Sequence, residues 1–433
     1  MPKRILIIGA GPVGVEAAAS FLCSTDKDKP VVHMVEREAE VGGGILRNWP
    51  HVLLFSPWSM NISSCGDSLL EMSQKVDVSI CPTGKEFCQQ YLQPVIEKLQ
   101  ENFSSQFSIV YETEVVSISR KGHISKSTMG SSIRKSQKFC CLLSSTSSID
   151  GKFSSTLLEE YTQDFDVIVD ASGLISTSSY FGPGGIPCVN ERILLKNNQL
   201  ISRNIPSVDI EKYKDKRLAV IGSGYSAATS VRNLLEAQVK EIYWITRKKE
   251  NNIYEVIDDD ALPERKRLCK RSNELISSSS SCVHHYGGMN VVAVNQKKQK
   301  HSEDSFLEID LESISKGDEV TESVTGKRSR TIEVDHIISN TGLRPDLSIH
   351  SELQVHICYA SDGIMKLAAS LLGASGDCLA QPAAGIETLI SPEPDFYILG
   401  SKSYGRNSSF LLRVGIEQVA ALKEKLMNEN KQP

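Results

Sequence analysis

The chain has 433 residues, of which 40% are hydrophobic and 23% are charged, a composition typical of globular proteins with well-packed cores. Its formal net charge of −5 gives no electrostatic reason to expect binding to nucleic acid or to an anionic membrane. Because no apolar run approaches the length that spans a bilayer, we expect no membrane anchor.

The first residues of the chain and its cysteines indicate a cellular compartment. A strand-like run, RILIIG, begins at Arg4, so we expect no signal or transit peptide. The 11 cysteines are scattered rather than arranged as a disulfide framework, which favours a reducing, cytoplasmic compartment. The chain contains neither a His-Glu-x-x-His motif nor paired Cys-x-x-Cys motifs, so we predict no metal site.

The first motif is GAGPVG, with Gly9, Gly11, Pro12 and Gly14, between the apolar run ILII and a helical pattern. In a dinucleotide-binding turn the first glycine allows the tight turn and the second lets the backbone approach a pyrophosphate. The third lets helix and strand pack closely. The pyrophosphate then lies at the helix N-terminus, which favours negative charge. The sequence therefore predicts a dinucleotide site here.

The next strand, VVHMVE, ends at Glu36, which is followed by Arg37. An acidic residue about 20 residues beyond the third glycine of such a motif hydrogen-bonds the hydroxyls of a ribose. We therefore include Glu36 and its neighbour Arg37 in the predicted site.

A second motif, GSGYSA, contains Gly222, Gly224, Tyr225 and Ser226 and lies between the strand-like run RLAVI and another helical pattern. The following strand, EIYWIT, ends at Arg247, where a site for NAD would carry a carboxylate. An arginine pairs well with a 2′-phosphate, which indicates NADP rather than NAD. The alternative is that Arg247 belongs to a solvated basic turn.

The two halves of the chain resemble each other. Each opens with a strand, a helix and a strand, continues with candidate antiparallel strands, and returns through an apolar strand: FDVIVDASG in one half and VDHIISNTG in the other. This degenerate repeat indicates duplicated α/β domains rather than a solenoid. Two Ser-rich stretches, 121–155 and 271–282, are predicted to be surface insertions.

From Gly9 to about Ala421 the arrangement resembles the two-dinucleotide-binding-domain flavoproteins. The resemblance implies an α/β fold with two Rossmann-like domains, the NADP domain inserted into the FAD domain. We expect the FAD domain at 1–212 and 345–433 and the NADPH domain at 213–344. The turns ASG at 171–173 and NTG at 340–342 are similar to the family's turns at the domain crossings.

The resemblance also implies further FAD contacts. The segment PDFYILGSKSYG is similar to the final FAD motif, in which a glycine, here Gly400, reaches the ribityl chain; Ser401 follows it where many members have aspartate. In many flavin enzymes a pair like Gly42-Gly43 lies against the flavin. The complete predicted cofactor-binding set is Gly9, Gly11, Pro12, Gly14, Glu36, Arg37, Gly43, Arg47, Val115, Ser172, Gly173 and Gly400 for FAD, and Gly222, Gly224, Tyr225, Ser226 and Arg247 for NADPH.

The residues after Gly42-Gly43 limit what accepts electrons from the flavin. Disulfide reductases place a redox-active cysteine there, but this chain continues with Ile45, Leu46 and Arg47. Between 213 and 344 the only cysteines, Cys269 and Cys282, are too far apart to form a Cys-x-x-Cys pair. A dithiol mechanism is therefore disfavoured, which leaves oxygen, a quinone or a small molecule as the acceptor.

Among the remaining classes, the chain is most similar to the flavin-containing monooxygenases. That resemblance implies oxygenation of a small nitrogen or sulfur nucleophile through a flavin peroxide, with NADPH, molecular oxygen and a small-molecule substrate as partners. It places Asn61 beside the reactive flavin edge as the catalytic residue, although Asn61 is alternatively a helix cap or a turn residue. The signature Phe-x-Gly-x-x-x-His of that group is absent, since 181–190 read FGPGGIPCVN.

Two alternatives therefore stay open. One is a thiol-independent flavin oxidase or reductase that passes electrons to a small-molecule acceptor. The other is a catalytically weak nucleotide-binding flavoprotein that serves in redox sensing or as a scaffold, against which the complete glycine motifs argue. The sequence leaves a homo-oligomer possible and does not identify the substrate.

Overall fold

A computed structural model describes the chain in two compact units, Met1–Thr177 with Leu343–Pro433, and Ser178–Gly342. We refer to them as unit 1 and unit 2. The residues that it describes are 2–24, 29–122, 132–149, 152–174, 177–197, 200–208, 211–249, 252–278, 282–298, 305–314, 329–373, 379 and 385–429.

The described chain alternates strands and helices in the manner of α/β proteins. Its strands are β1 (Arg4–Ile8), β2 (Val31–Val35), β3 (Phe107–Val110), β4 (Thr113–Arg120), β5 (Phe139–Ile149), β6 (Lys152–Phe165), β7 (Val167–Asp170), β8 (Thr177–Ser178), β9 (Ile201–Ser202), β10 (Arg217–Ile221), β11 (Glu241–Thr246), β12 (Val283–Gly287), β13 (Met289–Lys298), β14 (Ser305–Ser313), β15 (Ser329–Val334), β16 (His336–Ser339), β17 (Leu343–Arg344) and β18 (Phe396–Ile398). Its α-helices are α1 (Pro12–Leu22), α2 (Gly43–Asn48), α3 (Trp58–Asn61), α4 (Ser64–Leu70), α5 (Met72–Lys75), α6 (Gly84–Phe87), α7 (Gln93–Asn102), α8 (Ser132–Ser136), α9 (Glu191–Asn197), α10 (Tyr225–Glu236), α11 (Pro263–Ser277), α12 (Met365–Leu371), α13 (Ile386–Leu389) and α14 (Leu412–Glu429). Shorter helical turns are the π-helix Cys88–Leu92 and the 3₁₀ turns Pro183–Gly185, Glu211–Tyr213, Ser348–His350 and Gly400–Tyr404.

Unit 1 is built on a parallel sheet with the order β3-β2-β1-β7-β18. Numbered within the sheet, this is the order 3-2-1-4-5 of a Rossmann-like domain. The central strands are apolar and buried on both faces, as parallel strands between helices are. Their carboxyl ends meet at one edge, where such folds bind their ligands.

A second sheet in unit 1 is antiparallel, with the order β4-β5-β6. Its first strand carries a bulge between Val115 and Ser117. An ion-pair network joins this sheet to the segment before β18: Arg120 Nε lies 2.7 Å from Glu393 Oε1, and Arg134 also pairs with Glu393. All three side chains are buried, so this network holds unit 1 together through charge as well as apolar packing.

Unit 2 is also built from a parallel sheet and an antiparallel sheet. Its parallel sheet has the order β12-β11-β10-β16-β9, and its antiparallel sheet the order β13-β14-β15. The strands β10, β11 and β12 follow one another in the sheet as β1, β2 and β3 do in unit 1. The predicted α/β fold with two Rossmann-like domains is confirmed, and the degenerate repeat in the sequence corresponds to these two units.

The units divide at other residues than the predicted 212/213 and 344/345. Residues 178–212 belong to unit 2, because β9 pairs with β16 and Val189 forms a bridge with Ala293. These contacts come from a two-residue strand and an isolated bridge, which have no periodic signal in the sequence. The assignment of one cofactor to each domain stays a prediction.

The two Ser-rich stretches contain regular secondary structure. The first contains α8 and the strand β5, and the second contributes its first residues to α11, which ends at Ser277. Residues 123–131, 150–151 and 279–281 of these stretches lie outside the described residues, so the prediction of surface insertions is not tested there. Among the helices of the described chain, none has both the length and the apolar character needed to cross a membrane.

Candidate functional site

The GAGPVG turn connects β1 to α1 at the carboxyl edge of the sheet in unit 1. Gly9 has a φ of +96°, and a Cβ on it would lie 2.9 Å from the carbonyl oxygen of Ala171. A Cβ on Gly14 would lie 2.0 Å from the carbonyl oxygen of Gly9. Both positions therefore require glycine for the reasons that the motif predicts: a tight turn and close contact between helix and strand.

Gly11 differs from its two neighbours in the motif. A Cβ on Gly11 would meet no atom within 4 Å, so its Cα faces open space. Gly11 also precedes α1 as its N-cap without a capping side chain, and Pro12 is the first helical residue. The turn thus combines an uncapped helix N-terminus with a backbone surface that a phosphate can approach closely.

Glu36 lies directly beside this turn. Its Oε2 accepts a hydrogen bond from the backbone N–H of Ala10 at 2.6 Å, and its Oε1 accepts one from Glu38 N–H at 2.9 Å. Burial raises the pKa of Glu36, and the two backbone hydrogen bonds partly oppose this shift. Each carboxylate oxygen retains acceptor capacity for a ribose hydroxyl.

The end of β7 forms the other wall of the turn. Ser172 donates from Oγ to Asp170 Oδ1 at 2.6 Å and accepts from Lys402 Nζ at 3.0 Å. Lys402 also pairs with Asp170, so the charge of a buried carboxylate is compensated. Gly173 follows with a φ of +69°. The structure therefore places Ser172 beside Gly9, and Gly173 is the next residue of this segment.

Gly400 follows β18 and completes this edge of unit 1. Its φ is +72°, and a Cβ on it would lie 3.0 Å from the side chain of Val13. Its N–H donates to Gln418 Oε1 at 2.8 Å, which anchors it to α14. The structure thus brings Gly400 against the first turn of α1.

The predicted residues near Gly43 are brought together by Glu38. A Cβ on Gly43 would lie 2.3 Å from the Cβ of Glu38, so the close approach requires glycine. Arg47 Nη1 lies 2.9 Å from Glu38 Oε1, and Arg37 Nη2 lies 3.6 Å from the same oxygen. Gly42 N–H donates to Ala10 O at 3.0 Å, which attaches this segment to the first glycine turn.

Val115 and Asn61 are both buried. Val115 lies in the hydrophobic core of unit 1, at the bulge of β4. Asn61 is 2% exposed; its Nδ2 donates to Ser56 O at 2.9 Å, and its Oδ1 accepts from Ser56 Oγ at 2.8 Å. These bonds close the turn from Ser56 to Asn61, and a catalytic role of Asn61 stays a prediction.

A cysteine from a distant part of the chain lies against the first residue of the pair Gly42-Gly43. Cys88, on the π-helix, has its Sγ 3.8 Å from Gly42 O, and a Cβ on Gly42 would lie 2.5 Å from that sulfur. Burial raises the pKa of Cys88 to about 12. Because the thiolate is the reactive form, a raised pKa does not favour a redox-active thiol at this position.

The GSGYSA turn connects β10 to α10 in unit 2, as the first turn connects β1 to α1 in unit 1. Gly222 has a φ of +137°, and a Cβ on it would lie 2.3 Å from Asn340 O. A Cβ on Gly224 would meet no atom within 4 Å, and Gly224 precedes α10 as an N-cap without a capping side chain. Tyr225 and Ser226, the first residues of α10, are exposed. The predicted residues of the second turn are therefore together.

Two aromatic residues that the sequence analysis did not assign to the site donate hydrogen bonds to this turn. Trp244 Nε1 donates to Gly222 O at 3.0 Å, and Tyr254 Oη donates to Gly224 O at 3.2 Å. Trp244 is on β11, whereas Tyr254 belongs to the irregular segment between β11 and α11. The strand pattern of EIYWIT predicts a buried Trp244, but no local signal indicates Tyr254.

Arg247 follows β11 and is exposed, like its neighbours Lys248 and Lys249. It occupies the position after the second strand of unit 2 that corresponds to Glu36 and Arg37 in unit 1. The two turns therefore differ in charge: a buried carboxylate stands beside the first and an exposed guanidinium beyond the second.

No protein-family model matches the chain, and no curated protein sequence matches it. Solved structures do match. For the bacillithiol disulfide reductase of Bacillus cereus the TM-score is 0.61 at 15% identity, covering 99% of this chain and 100% of that one. For the ornithine N-hydroxylase of Kutzneria sp. 744, described with reduced FAD, NADP+ and L-ornithine, it is 0.59 at 14% identity, covering 100% of both chains. For the FAD-bound cadaverine monooxygenase of Erwinia amylovora it is 0.58 at 14% identity, covering 100% of this chain and 96% of that one.

These matches are to FAD/NAD(P)-dependent oxidoreductases, and they extend over both units. The chain therefore has the two-dinucleotide-binding-domain fold, which confirms at the level of the fold the resemblance carried by the glycine motifs.

Proposed function

We propose that the protein is an FAD-dependent oxidoreductase that uses NADPH. The observation that carries this proposal is the pair of glycine turns, each at the carboxyl edge of a parallel sheet and each with a central glycine that faces open space. One turn adjoins the carboxylate of Glu36 and the other leads to Arg247. The carboxylate of Glu36 fits a dinucleotide whose ribose carries free hydroxyls, and the guanidinium of Arg247 fits one whose ribose carries a 2′-phosphate.

FAD would be held by unit 1, in the domain we assign to 1–212 and 345–433. Gly9, Gly11, Pro12 and Gly14 present the N-terminus of α1 to the pyrophosphate, and Glu36 accepts from the ribose. The other residues assigned to FAD are Arg37, Gly43, Arg47, Val115, Ser172, Gly173 and Gly400. The guanidinium groups of Arg37 and Arg47, held by Glu38, supply positive charge along this segment.

NADPH would be held by unit 2, in the domain we assign to 213–344. Gly222, Gly224, Tyr225 and Ser226 form the pyrophosphate site at the N-terminus of α10. Arg247 is exposed, and none of the ion pairs in the described part of unit 2 includes it. Its guanidinium donors are therefore available for a 2′-phosphate.

The favoured activity is oxygenation of a small nitrogen or sulfur nucleophile by molecular oxygen, with Asn61 at the reactive site. FAD, which Gly9, Gly11 and Glu36 would hold, would supply acceptance of a hydride from NADPH and delivery of the electrons to oxygen. The burial of Cys88 beside Gly42, which raises the pKa of its thiol, supports a route without protein thiols. Two matched structures, an ornithine N-hydroxylase and a cadaverine monooxygenase, belong to enzymes that act on amines.

The test is rapid mixing of the NADPH-reduced, FAD-loaded protein with oxygenated buffer, followed by absorbance. A monooxygenase should form a long-lived species that absorbs in the near ultraviolet and differs from both oxidised and reduced flavin. Immediate return of oxidised flavin with hydrogen peroxide would contradict the monooxygenase activity and support the alternative, a thiol-independent oxidase or reductase. Binding of both dinucleotides without reduction of the flavin would identify a catalytically weak nucleotide-binding protein.

A further inference from the structure

Helix α1 carries a carboxyl group among its buried residues. Every residue from Val13 to Leu22 is buried, and Glu16 and Ser20 are the two polar side chains of this stretch. They lie four residues apart and therefore share one face of the helix. Glu16 is 4% exposed, and a glutamate is rarely buried to this extent unless a partner compensates for the loss of water. The partners of Glu16 therefore show what this position lacks.

The partners of Glu16 are neutral groups. Tyr91 Oη donates to Glu16 Oε1, and the same hydroxyl accepts from Ser63 N–H at 3.1 Å. None of the ion pairs in the described part of unit 1 includes Glu16. Burial raises the pKa of Glu16, and hydrogen bonds from Ser63 and Tyr91 partly oppose this shift. The ionised carboxylate therefore has hydrogen bonds but no compensating positive charge.

A cavity of about 340 Å³ within unit 1 reaches this carboxyl group. Glu16 and Ser20 line it from α1, Ser63 and Cys65 line it from the beginning of α4, and α14 forms the remaining wall. Its volume is within the range of small-molecule sites, roughly 300–1,000 Å³. The residues that line it include none of those assigned to FAD, to NADPH or to catalysis. The cavity is therefore a separate candidate site.

The wall from α14 is mainly apolar. Val419, Lys423 and Met427 follow one another at intervals of four residues, so they share one face of the helix, and all three line the cavity. Lys423 and its neighbour Glu424 carry opposite charges, so the net charge of the lining residues is that of Glu16. The cavity thus combines a buried acidic group with an apolar wall.

We propose that this cavity binds a small organic cation, with its ammonium group on the carboxylate of Glu16 and its apolar body against α14. An ammonium group supplies the positive charge that Glu16 lacks, and each carboxylate oxygen accepts more than one hydrogen bond. An apolar body is favoured because it removes the surfaces of Val419 and Met427 from water. This binding site goes beyond the proposed oxidoreductase activity and does not depend on it.

The experiment compares two probes by calorimetry on the full-length protein. Benzylamine and benzyl alcohol share a ring and differ in the charged group. The wild-type protein should bind benzylamine at least about tenfold more tightly than benzyl alcohol, because hydrogen bonds to charged groups are the stronger ones. Glu16→Gln keeps an acceptor for Tyr91 and removes the charge. It should weaken benzylamine about 10- to 100-fold and leave benzyl alcohol unchanged.

Two variants at the exposed opening of the cavity complete the comparison. Glu424→Gln is the matched control, because it removes the same charge at an exposed position and should change benzylamine binding less than about threefold. Ala420→Leu places a larger side chain in the cavity and should weaken both probes. Ala420 is exposed and leucine favours helices, so this variant is expected to fold even if Glu16→Gln does not.

The thiol of Cys65 reports where the amine binds. Cys65 is half-buried and lines the cavity, whereas Cys358 is half-buried elsewhere in unit 1. Benzylamine should slow the alkylation of Cys65 by iodoacetamide, measured by mass spectrometry of the peptides, and leave the alkylation of Cys358 unchanged.

Three results would overturn the inference. The first is a wild-type protein that does not bind benzylamine. The second is equal binding of benzylamine and benzyl alcohol, which would mean an apolar cavity without an ion pair. The third is benzylamine binding that leaves Cys65 unprotected and is unaffected by Glu16→Gln and Ala420→Leu, which would place the amine at another site. Retention of FAD and its reduction by NADPH are measured separately, so each of these results leaves the proposed function standing.

Discussion

The Nζ atom of Lys402 lies 2.7 Å from the Oδ2 atom of Asp170, and the two side chains are 1% and 0% exposed. Asp170 ends β7, and Lys402 lies in the turn that follows β18. The pair therefore joins the two segments that carry Ser172 and Gly400, both assigned to FAD. A contact between residues so far apart in the sequence fixes one edge of the candidate site.

We predict that Lys402→Met destabilises the protein by about 3–5 kcal/mol, because a buried carboxylate loses its compensating charge. Urea unfolding monitored by circular dichroism measures this change. The double variant Lys402→Met with Asp170→Asn should cost less than Lys402→Met alone, because no unpaired charge remains. A double variant as unstable as the sum of its single variants would contradict the pairing.

The same pair predicts a dependence on pH. Burial by itself would raise the pKa of Asp170, but the charge of Lys402 and hydrogen bonds from Lys402 and Ser172 hold its pKa below the ordinary value. The stabilisation is therefore fully present above about pH 4, the ordinary carboxyl pKa, and is lost as the pH falls through the lower folded-state pKa. The stability difference between the wild type and Lys402→Met should shrink with acidification. A difference that grows in acid would contradict this sign.

Substitutions of Gly11 and Gly14 in the first turn should differ in their effect on the stability of the protein. Gly11→Ala adds a methyl group in open space and is expected to cost at most about 1 kcal/mol of stability while abolishing retention of FAD. Gly14→Ala places its Cβ against Gly9 O and should lower stability by about 1–3 kcal/mol as well. Flavin absorbance per protein and thermal unfolding measure the two effects.

The matched control is Gly385→Ala. Gly385 is also a glycine N-cap with no atom within 4 Å of its would-be Cβ, but it precedes the short helix α13. This variant should retain FAD. If Gly11→Ala retained FAD equally well, the pyrophosphate would not lie at this turn.

We predict that Arg247 makes the protein prefer NADPH to NADH. We expect Arg247→Ala to raise the KM for NADPH about 10- to 100-fold, because charge-assisted hydrogen bonds to the 2′-phosphate are lost, and to leave the KM for NADH unchanged. Steady-state oxidation of the two nucleotides measures this. Lys249→Ala, in the same exposed turn, is the control and should change neither value. Equal effects of the two variants would mean a general basic surface.

Asn61 can be tested apart from its contact with Ser56. Both Asn61→Ala and Ser56→Ala remove the hydrogen bond between the two side chains and should destabilise the protein by about 1–3 kcal/mol. If Asn61 donates to the reactive site, Asn61→Ala should also release hydrogen peroxide about tenfold faster when the reduced protein meets oxygen. Ser56→Ala should not. Equal release by both variants would leave Asn61 with a structural role only.

Much of the two turns could be predicted because their signals are local. A buried strand, two or three glycines and a helical pattern follow one another within about 20 residues. Gly14 is required by a contact inside that stretch, with Gly9 O, whereas Gly9 and Gly222 are required by contacts with the distant residues Ala171 and Asn340. Glu36 and Arg247 were likewise predicted from their positions at the end of the next strand. The confirmed fold follows from the same local patterns repeated twice.

The remaining features depend on contacts between distant segments. Cys88 approaches Gly42 through the packing of the π-helix, and Lys402 reaches Asp170 across the sheet edge. Tyr254 lies in a segment without a periodic pattern, so its hydrogen bond to Gly224 could not be foreseen. The assignment of residues 178–212 to unit 2 has the same cause, since β9, a strand of two residues, pairs with β16; the bounds of the two cofactor domains stay a prediction.

The most direct test of the proposed function is an anaerobic titration of the FAD-loaded protein with NADPH, with NADH in parallel, monitored through the visible flavin absorbance. Stoichiometric loss of that absorbance with NADPH, and a much slower loss with NADH, is the predicted result. Failure of the purified protein to hold FAD, or a bound flavin that NADPH leaves oxidised, would contradict an FAD-dependent, NADPH-using oxidoreductase.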